Sequence, residues 1–441
     1  MSAAAGTPDE RPGLYVHVPF CSAICPYCDF AVRVGGEPAR RRYAEALRLE
    51  IDRLIGTSSP AADEALDNLR TEIRAPLRRL IAPRTRGPET AAARSSTPDD
   101  ARFSTLYLGG GTPSILDVDT LAGLVEHLRI RLPLADDLEI FLEANPEDLA
   151  GADGARRLDA WRALGVGFLS LGVQSLDDDE LRFLGRRHTG AEARAAVERA
   201  LEADFATVSV DLIYGLPDQP ATETDWSRRL DDALALGSHH LSLYELEIHE
   251  RTVFGKLARR GELIPAPEPR RAALFRHTHR RLLDAGWDVY EVSNFARTPA
   301  HRSRHNQKYW RHIPYLGLGP SAHSYAATDG VAVRWWNERS TPRWQRLLES
   351  DASPIQDAEV LTPADLVLET LMLGLRTPAG VDLSRLRVRT GVDLLRVAAP
   401  ALEQATSDGL ARLDGDHLLP TLDGMAVADA LAAELTEAEG I

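Results

Sequence analysis

Apolar residues over the first two thirds of the chain gather in short, nearly continuous runs at 14–18, 105–108, 139–142, 168–173, 207–213 and 241–246, with stretches of helical period between them. Runs apolar at every position suit strands covered on both faces, and a strand followed each time by a helix describes a parallel sheet. The first of these helices spans about 39–55. Six such units in series favour a closed or partial (β/α) barrel over an open doubly wound sheet, although periodicity alone does not separate the two. A seventh run, WDVYEVSNF at 287–295, suits an edge strand.

Two regions break this rhythm. An insertion at about 56–104 follows the first helix. Its early part, 62–81, has a loose helical period interrupted by Pro76, and its later part, APRTRGPETAAARSSTPDD, has the composition of a disordered surface loop. After about residue 330 the alternation stops. A mostly helical segment follows, with one hairpin candidate, LARLDGDHLLP, turning at Asp414-Gly415. Helices followed by a small hairpin read as a winged-helix-like domain, which divides the chain into a barrel at 1–325 and a C-terminal helical domain at 326–441. Residues 351–441 carry 16 acidic side chains against 6 Arg and no Lys, so packing or protein contact suits this domain better than DNA.

A length of 441 residues allows both domains a core of their own. The net charge of −15 argues against binding nucleic acid through phosphate contacts. No window reaches the apolar length of a membrane span, and MSAAAGTPDERPG at the start has no apolar core of a signal peptide, so a cytoplasmic protein is expected. All three cysteines, Cys21, Cys25 and Cys28, fall within LYVHVPFCSAICPYCDF. An odd number of thiols is not a disulfide framework, and structural zinc would require a fourth Cys or His in closed geometry. Three thiolates can hold three irons of a [4Fe-4S] cube and leave the fourth open to a small ligand.

Further polar and flexible positions lie near the other strand ends. Gly109, Gly110 and Gly111 follow the second strand in YLGGGTPSIL, where a backbone could approach a ligand closely; a tight ligand-free turn is the plainer alternative. Glu143, Gln174, Arg186 and Asp211 sit at or just beyond strand ends. Singly each suits a cap or an ion pair. As one rim they suit a site, with carboxylates for hydroxyls and Arg or Gln for a carboxylate or a base edge.

The spacing C-x3-C-x2-C resembles that of the radical S-adenosylmethionine superfamily, in which the open iron chelates S-adenosylmethionine. The resemblance implies a partial (β/α)6 TIM-like barrel and cofactor contacts from Tyr15, Tyr27, Gly110, Gly111, Thr112, Glu143, Gln174, Arg186 and Asp211. The strings GVQS, DLIYGLPDQ, HLSLYELEIHERTVFG and RHNQKYW are similar to the branch that holds oxygen-independent coproporphyrinogen III dehydrogenase and the heme chaperones of the HemW type. The dehydrogenase has a further cysteine two positions after the third and a longer N-terminal segment. This chain has Phe30 there and a short polar start, and HNQKYW matches the chaperone group's H-N-x-x-Y-W. The resemblance therefore implies heme as cargo. Heme-acceptor proteins, respiratory enzymes at the membrane among them, and a second copy of the chain are its implied partners. His305 is the candidate axial ligand, with His301, His312 and His323 as competitors and a plain loop histidine as the alternative. Oxidative decarboxylation of coproporphyrinogen III by a 5'-deoxyadenosyl radical is the competing function, and a purely structural cluster or zinc site the third.

Overall fold

The computed structural model describes residues 9–55, 73, 76, 77, 80, 81, 102–217, 223–328 and 330–437. The loop expected at 82–100 lies outside them, as does most of the 62–81 segment. At Ile73, Leu77 and Leu80 the chain is helical and buried. The chain divides into two compact units, one of Met1–Ser22, Ala31–Leu142 and Ser303–Leu361 and the other of Ala23–Phe30, Glu143–Arg302 and Thr362–Ile441.

In the first unit β1 (Gly13–Val18) pairs in parallel with β2 (Phe103–Gly110), from Gly13 opposite Thr105 to Val18 opposite Gly110. β2 pairs in parallel with β3 (Leu134–Ala144). Leu14, Val16, Leu106 and Leu108 are buried on one face of their strands and His17 and Thr105 on the other, and this two-sided covering is why the sequence runs were continuous. The helix Glu37–Leu54 starts with Pro38 in its first turn and buries Tyr43, Leu47 and Ile51 on one face. Tyr43 packs on Trp344 with ring centroids 5.6 Å apart.

The other edge of β1 departs from the expected helical segment. Tyr315–Leu318 pairs with β1 in parallel, and His323–Thr328, Val331–Asn337 and Ile355–Leu361 follow as antiparallel strands. These strands were not expected, for a physical reason. Ile355–Leu361 buries only Ala358 and Leu361, so its sequence lacks a strand's apolar alternation.

The second unit holds β4 (Val166–Gln174), β5 (Thr207–Tyr214) and β6 (His240–Glu245), paired in parallel in that order. The 287–295 run pairs at the edge as expected, but as two pieces: Asn294–Ala296 lies antiparallel to β6 and Asp288–Val289 lies beyond it. From Thr362 the chain is helical, beginning with Pro363–Gly374 behind a Thr362/Asp365 capping box. The hairpin Ala411–Asp414 with His417–Pro420 is present, joined by Val381–Asp382 as a third strand. Its loop is Gly415-Asp416, one residue later than expected, because Asp414 still pairs with His417 while Gly415 takes φ +58°. Leu371, Leu386, Leu402, Leu418 and Leu431 fill the core beneath it.

One buried ionic group ties the start of β1 to the helix Arg304–Trp310. Lys308, 1 % exposed, donates to the Arg11 carbonyl at 2.7 Å, Ser104 Oγ at 2.9 Å and Asp9 Oδ2 at 3.1 Å. Burial pushes the Lys308 pKa down to about 8, against the opposing pull of Asp9. Removing the cation leaves the Arg11 carbonyl and Ser104 short of a donor. Lys308→Met is therefore expected to lower stability by about 2–3 kcal/mol, read as a lower urea midpoint followed by circular dichroism. An unchanged midpoint would show that this network contributes nothing net.

Candidate functional site

The site residues of the first unit are set by how closely β1 and β2 run past their ends. Gly111 N donates to the Val18 carbonyl at 2.8 Å and Thr112 N to the Phe20 carbonyl at 2.7 Å, so the ladder continues into the loop that carries Cys21. A side chain at Gly111 would stand 2.5 Å from the Phe20 oxygen. At Gly110 (φ +107°) it would stand 2.4 Å from His17 Nδ1, and both positions therefore require glycine. Gly109 and Gly110 are the last residues of β2 rather than a turn beyond it. Thr112 Oγ1 donates to Cys21 Sγ at 3.7 Å.

Tyr15 lies on the same β1 face as His17. His17 donates from Nε2 to the Ala31 carbonyl at 3.1 Å, which leaves Nδ1 to accept from the Tyr15 hydroxyl at 3.0 Å. Burial pushes the His17 pKa down to about 4, so it is neutral at pH 7 and fixes the orientation of the Tyr15 hydroxyl.

The second unit holds the rest of the cysteine loop. Cys28 N donates to the Cys25 carbonyl at 3.1 Å, closing a turn, and Tyr27 packs against Phe254 with ring centroids 6.4 Å apart. Burial raises the Cys28 thiol pKa, and burial followed by the neighbouring Cys25 sulfur holds the Tyr27 phenol well above its usual range. Arg186 connects this loop to the strand ends. Its Nη1 donates to Cys25 Sγ at 3.5 Å, and its Nη2 to Asn145 Oδ1 at 2.6 Å and the Gly172 carbonyl at 2.7 Å. Its buried Nε has no hydrogen-bond partner.

Gln174 ends β4 with φ +69°, an uncommon backbone for glutamine, and its Nε2 would lie 3.0 Å from a Cβ at Gly172. Cys25, Arg186, Gly172 and Gln174 thus form one patch. Glu143 sits half-buried at the end of β3. Asp211 corrects its expected place. It lies inside β5 rather than at its end, with Ser170 Oγ donating to both carboxylate oxygens at 3.0 Å. Desolvation pushes its pKa up to about 6, opposed by hydrogen bonds from Ser242, Ser170 and Ser209 and by Arg186.

Asn145, Ser170 and His188 were not read from the sequence. His188, buried, spans Glu147 Oε2 at 3.2 Å and the Val173 carbonyl at 3.0 Å. Only N-P-E-D after the third strand, a capping signature, marked this stretch, and it pointed to local structure. His305 is wholly buried, with Nδ1 2.8 Å from Thr105 Oγ1 and Nε2 2.8 Å from the Tyr309 hydroxyl. Both nitrogens are taken, so ligation by His305 would first require one of these two hydrogen bonds to break.

These residues fit the implied groups. The three thiols are free of disulfides, and among the described residues no three Cys, His, Asp or Glu side chains converge as ligands of one metal ion. A four-iron cube takes each thiolate on a different iron and needs no such convergence. The cationic Arg186, with a donor to spare, suits a thiolate or a carboxylate.

The Radical SAM superfamily model matches residues 73–228, downstream of the cysteine loop, and the HemN C-terminal domain model matches residues 361–427. The heme chaperone HemW of Mycobacterium tuberculosis is 33 % identical over 99 % of this chain and 97 % of its own length. HemW of Synechocystis is 34 % identical over 84 % and 79 %, and that of Bacillus subtilis 30 % over 90 % and 91 %. The chain belongs to the HemW family of radical SAM proteins. Coproporphyrinogen III oxidase (HemN) of Escherichia coli, at 22 % identity, superposes with a TM-score of 0.72 over 97 % of this chain and 90 % of its own. That likeness carries the fold expected from the strand-helix alternation, an α/β partial barrel with a helical C-terminal region. Membership in the HemW family implies a [4Fe-4S] cluster, S-adenosylmethionine and heme. Among the described residues no helix is long and apolar enough to cross a membrane.

The raised Asp211 pKa is a stability statement. Between its unfolded value near 3.8 and about 6 the folded chain binds the extra proton, so stability is lost as pH rises through that window and stays lost above it. Asp211→Asn is expected to stabilise the protein at pH 7 by on the order of 1–3 kcal/mol and little at pH 4, while weakening S-adenosylmethionine binding. Thermal melts at the two pH values with a cofactor titration check this; a variant less stable at pH 7 would contradict the sign.

Proposed function

We propose that this chain is a cytoplasmic heme chaperone, whose 1–325 part binds a [4Fe-4S] cluster and S-adenosylmethionine and whose heme passes to heme-requiring proteins such as respiratory enzymes. The observation that carries the reading is family membership along nearly the whole chain together with the Cys25-Arg186-Gln174 patch. Cys21, Cys25 and Cys28 would hold the cluster, leaving its open iron to chelate S-adenosylmethionine. Arg186 sets the charge beside Cys25 and presents a free N–H. Gly110, Gly111 and Thr112 offer backbone that a methionine moiety can approach, and Glu143 and Asp211 offer acceptors for ribose hydroxyls. Neutral His17 holds Tyr15, and Tyr27 stays a phenol that donates but carries no charge. Three thiols free of disulfides suit a reducing compartment.

The test sets the chaperone against the porphyrinogen enzyme. With the cluster reconstituted anaerobically, the wild type is expected to take up stoichiometric heme and pass it to an apo-acceptor, with no coproporphyrinogen III consumed in the presence of reductant and S-adenosylmethionine. Cys25→Ser should lose most of its iron and its cofactor binding. Turnover of coproporphyrinogen would overturn the reading, and retention of full iron in Cys25→Ser would overturn the cluster assignment.

A further inference from the structure

Heme needs an exposed apolar surface for its ring, cations for its two propionates and, for iron ligation, an imidazole with an open face. Of the thirteen histidines, only His249, His323 and His417 are exposed. His323 has one ring face stacked on Trp336, at 5.6 Å and 25°. His417 lies in the C-terminal hairpin opposite Asp382 and Asp414. His249 has a different setting. Its side chain is 49 % exposed, and Glu247 Oε2 lies 3.2 Å from Nε2, a carboxylate partner of the kind that orients a ligating imidazole.

The turn that carries His249 is rigid. Thr252 N and Oγ1 both donate to the His249 carbonyl, at 3.0 and 2.7 Å, and Thr252 Oγ1 accepts from Gly255 N to cap the helix Val253–Arg259. A side chain at Gly255 would lie 2.1 Å from the His249 oxygen, so turn and helix are in close contact. The same helix rests on the cysteine loop, with Phe254 N donating to the Pro26 carbonyl at 3.0 Å and Arg251 3.4 Å from Asp29. Turn, helix and loop therefore form one face of the second unit.

That face has the composition heme requires. Phe30 is 71 % exposed, Ile24 55 % and Val253 54 %. Val253, Lys256 and Arg260 recur at i, i+3 and i+7, so they share one side of the helix, and all three are exposed. Residues 251–261 carry four cations and no acid in a chain of net charge −15. An anionic ring system with a flat apolar body matches this surface in charge and in character. We propose that heme docks here, its ring against Phe30 and Val253, its propionates toward Lys256 and Arg260, and its iron bound by His249. This inference rests on the heme-chaperone reading and gives that reading a location.

The test is a titration of the full-length, cluster-reconstituted protein with hemin, reading Soret position and affinity for wild type, His249→Ala, Lys256→Glu/Arg260→Glu, Phe30→Ser and His305→Ala. All but the last alter exposed side chains, and circular dichroism with iron content verifies that each variant is folded and loaded. His249→Ala is expected to shift the Soret band, and the charge reversal to weaken binding about tenfold or more, less so at high salt. Unchanged spectra and affinities in these variants would overturn the site. So would loss of binding in His305→Ala alone, which would assign the iron to the buried helix. Charge reversal that turns a dimer into monomers at unchanged hemin affinity would make this face a contact between copies and equally overturn the site. Absence of hemin uptake by the wild type would instead overturn the heme reading itself.

Discussion

The parallel ladder between β1 and β2 does not stop where the strands end, and half of the site depends on that continuation. Backbone bonds from Gly111 and Thr112 to Val18 and Phe20 hold the glycine loop against the entry to the cysteine loop, so the position of Cys21 follows from strand register. Only residues without a Cβ permit this approach, since any side chain at Gly110 or Gly111 would overlap His17 or the Phe20 carbonyl. A one-residue slip would put Leu14, Val16 and Val18 on the face that carries Tyr15 and His17, so the packing of both faces holds the register. A core requirement thereby becomes a requirement on the geometry of a thiol.

Much of the fold was legible because parallel strands covered on both faces write themselves into sequence as unbroken apolar runs. All six runs correspond to strands, and the first helix and the hairpin at 411–420 lie within a residue or two of their expected places. The antiparallel strands at 323–361 were not legible, because half-exposed strands with residues such as Gln356, Asp357 and Glu359 resemble loop. The cysteines and glycines could be read since few structures other than a ligand site need them at that spacing. Asn145, Ser170 and His188 could not. Their partners are 41, 41 and 15 residues away in sequence or further, and a serine inside a strand looks the same whether or not a carboxylate faces it.

His305 shows where motif and geometry part. The string HNQKYW was legible as a unit, and His305 sits among rings: Tyr309 of the same string lies 5.1 Å away at nearly a right angle, and Tyr107 of β2 lies at the same distance. What the string could not show is that Thr105, 200 residues upstream, takes one ring nitrogen and that Lys308 anchors the same helix to Asp9. Burial pushes the His305 pKa down to about 3, with Lys308 adding to the effect, so the imidazole is neutral and tied on both sides. A residue held in this way resists exchange, which suits a helix that closes the base of a strand pair better than a surface that must accept and release cargo.

Net charge misleads in the same manner when it is averaged over a chain. The figure of −15 excluded an extended phosphate-binding surface, yet it says nothing about residues 251–261, where four cations stand together. Exposed apolar side chains taken singly carry no message either, since every protein surface has them. Their meaning comes from coincidence. Phe30 was first notable as the residue standing where the porphyrinogen enzymes have cysteine, a substitution that removes a thiol and so seemed only to subtract chemistry. With its ring in solvent on the face that carries the exposed His249, Lys256 and Arg260, the same position supplies an apolar surface. A chain that carries a flat anionic molecule needs such a surface, and one that only oxidises a substrate enclosed within a barrel does not.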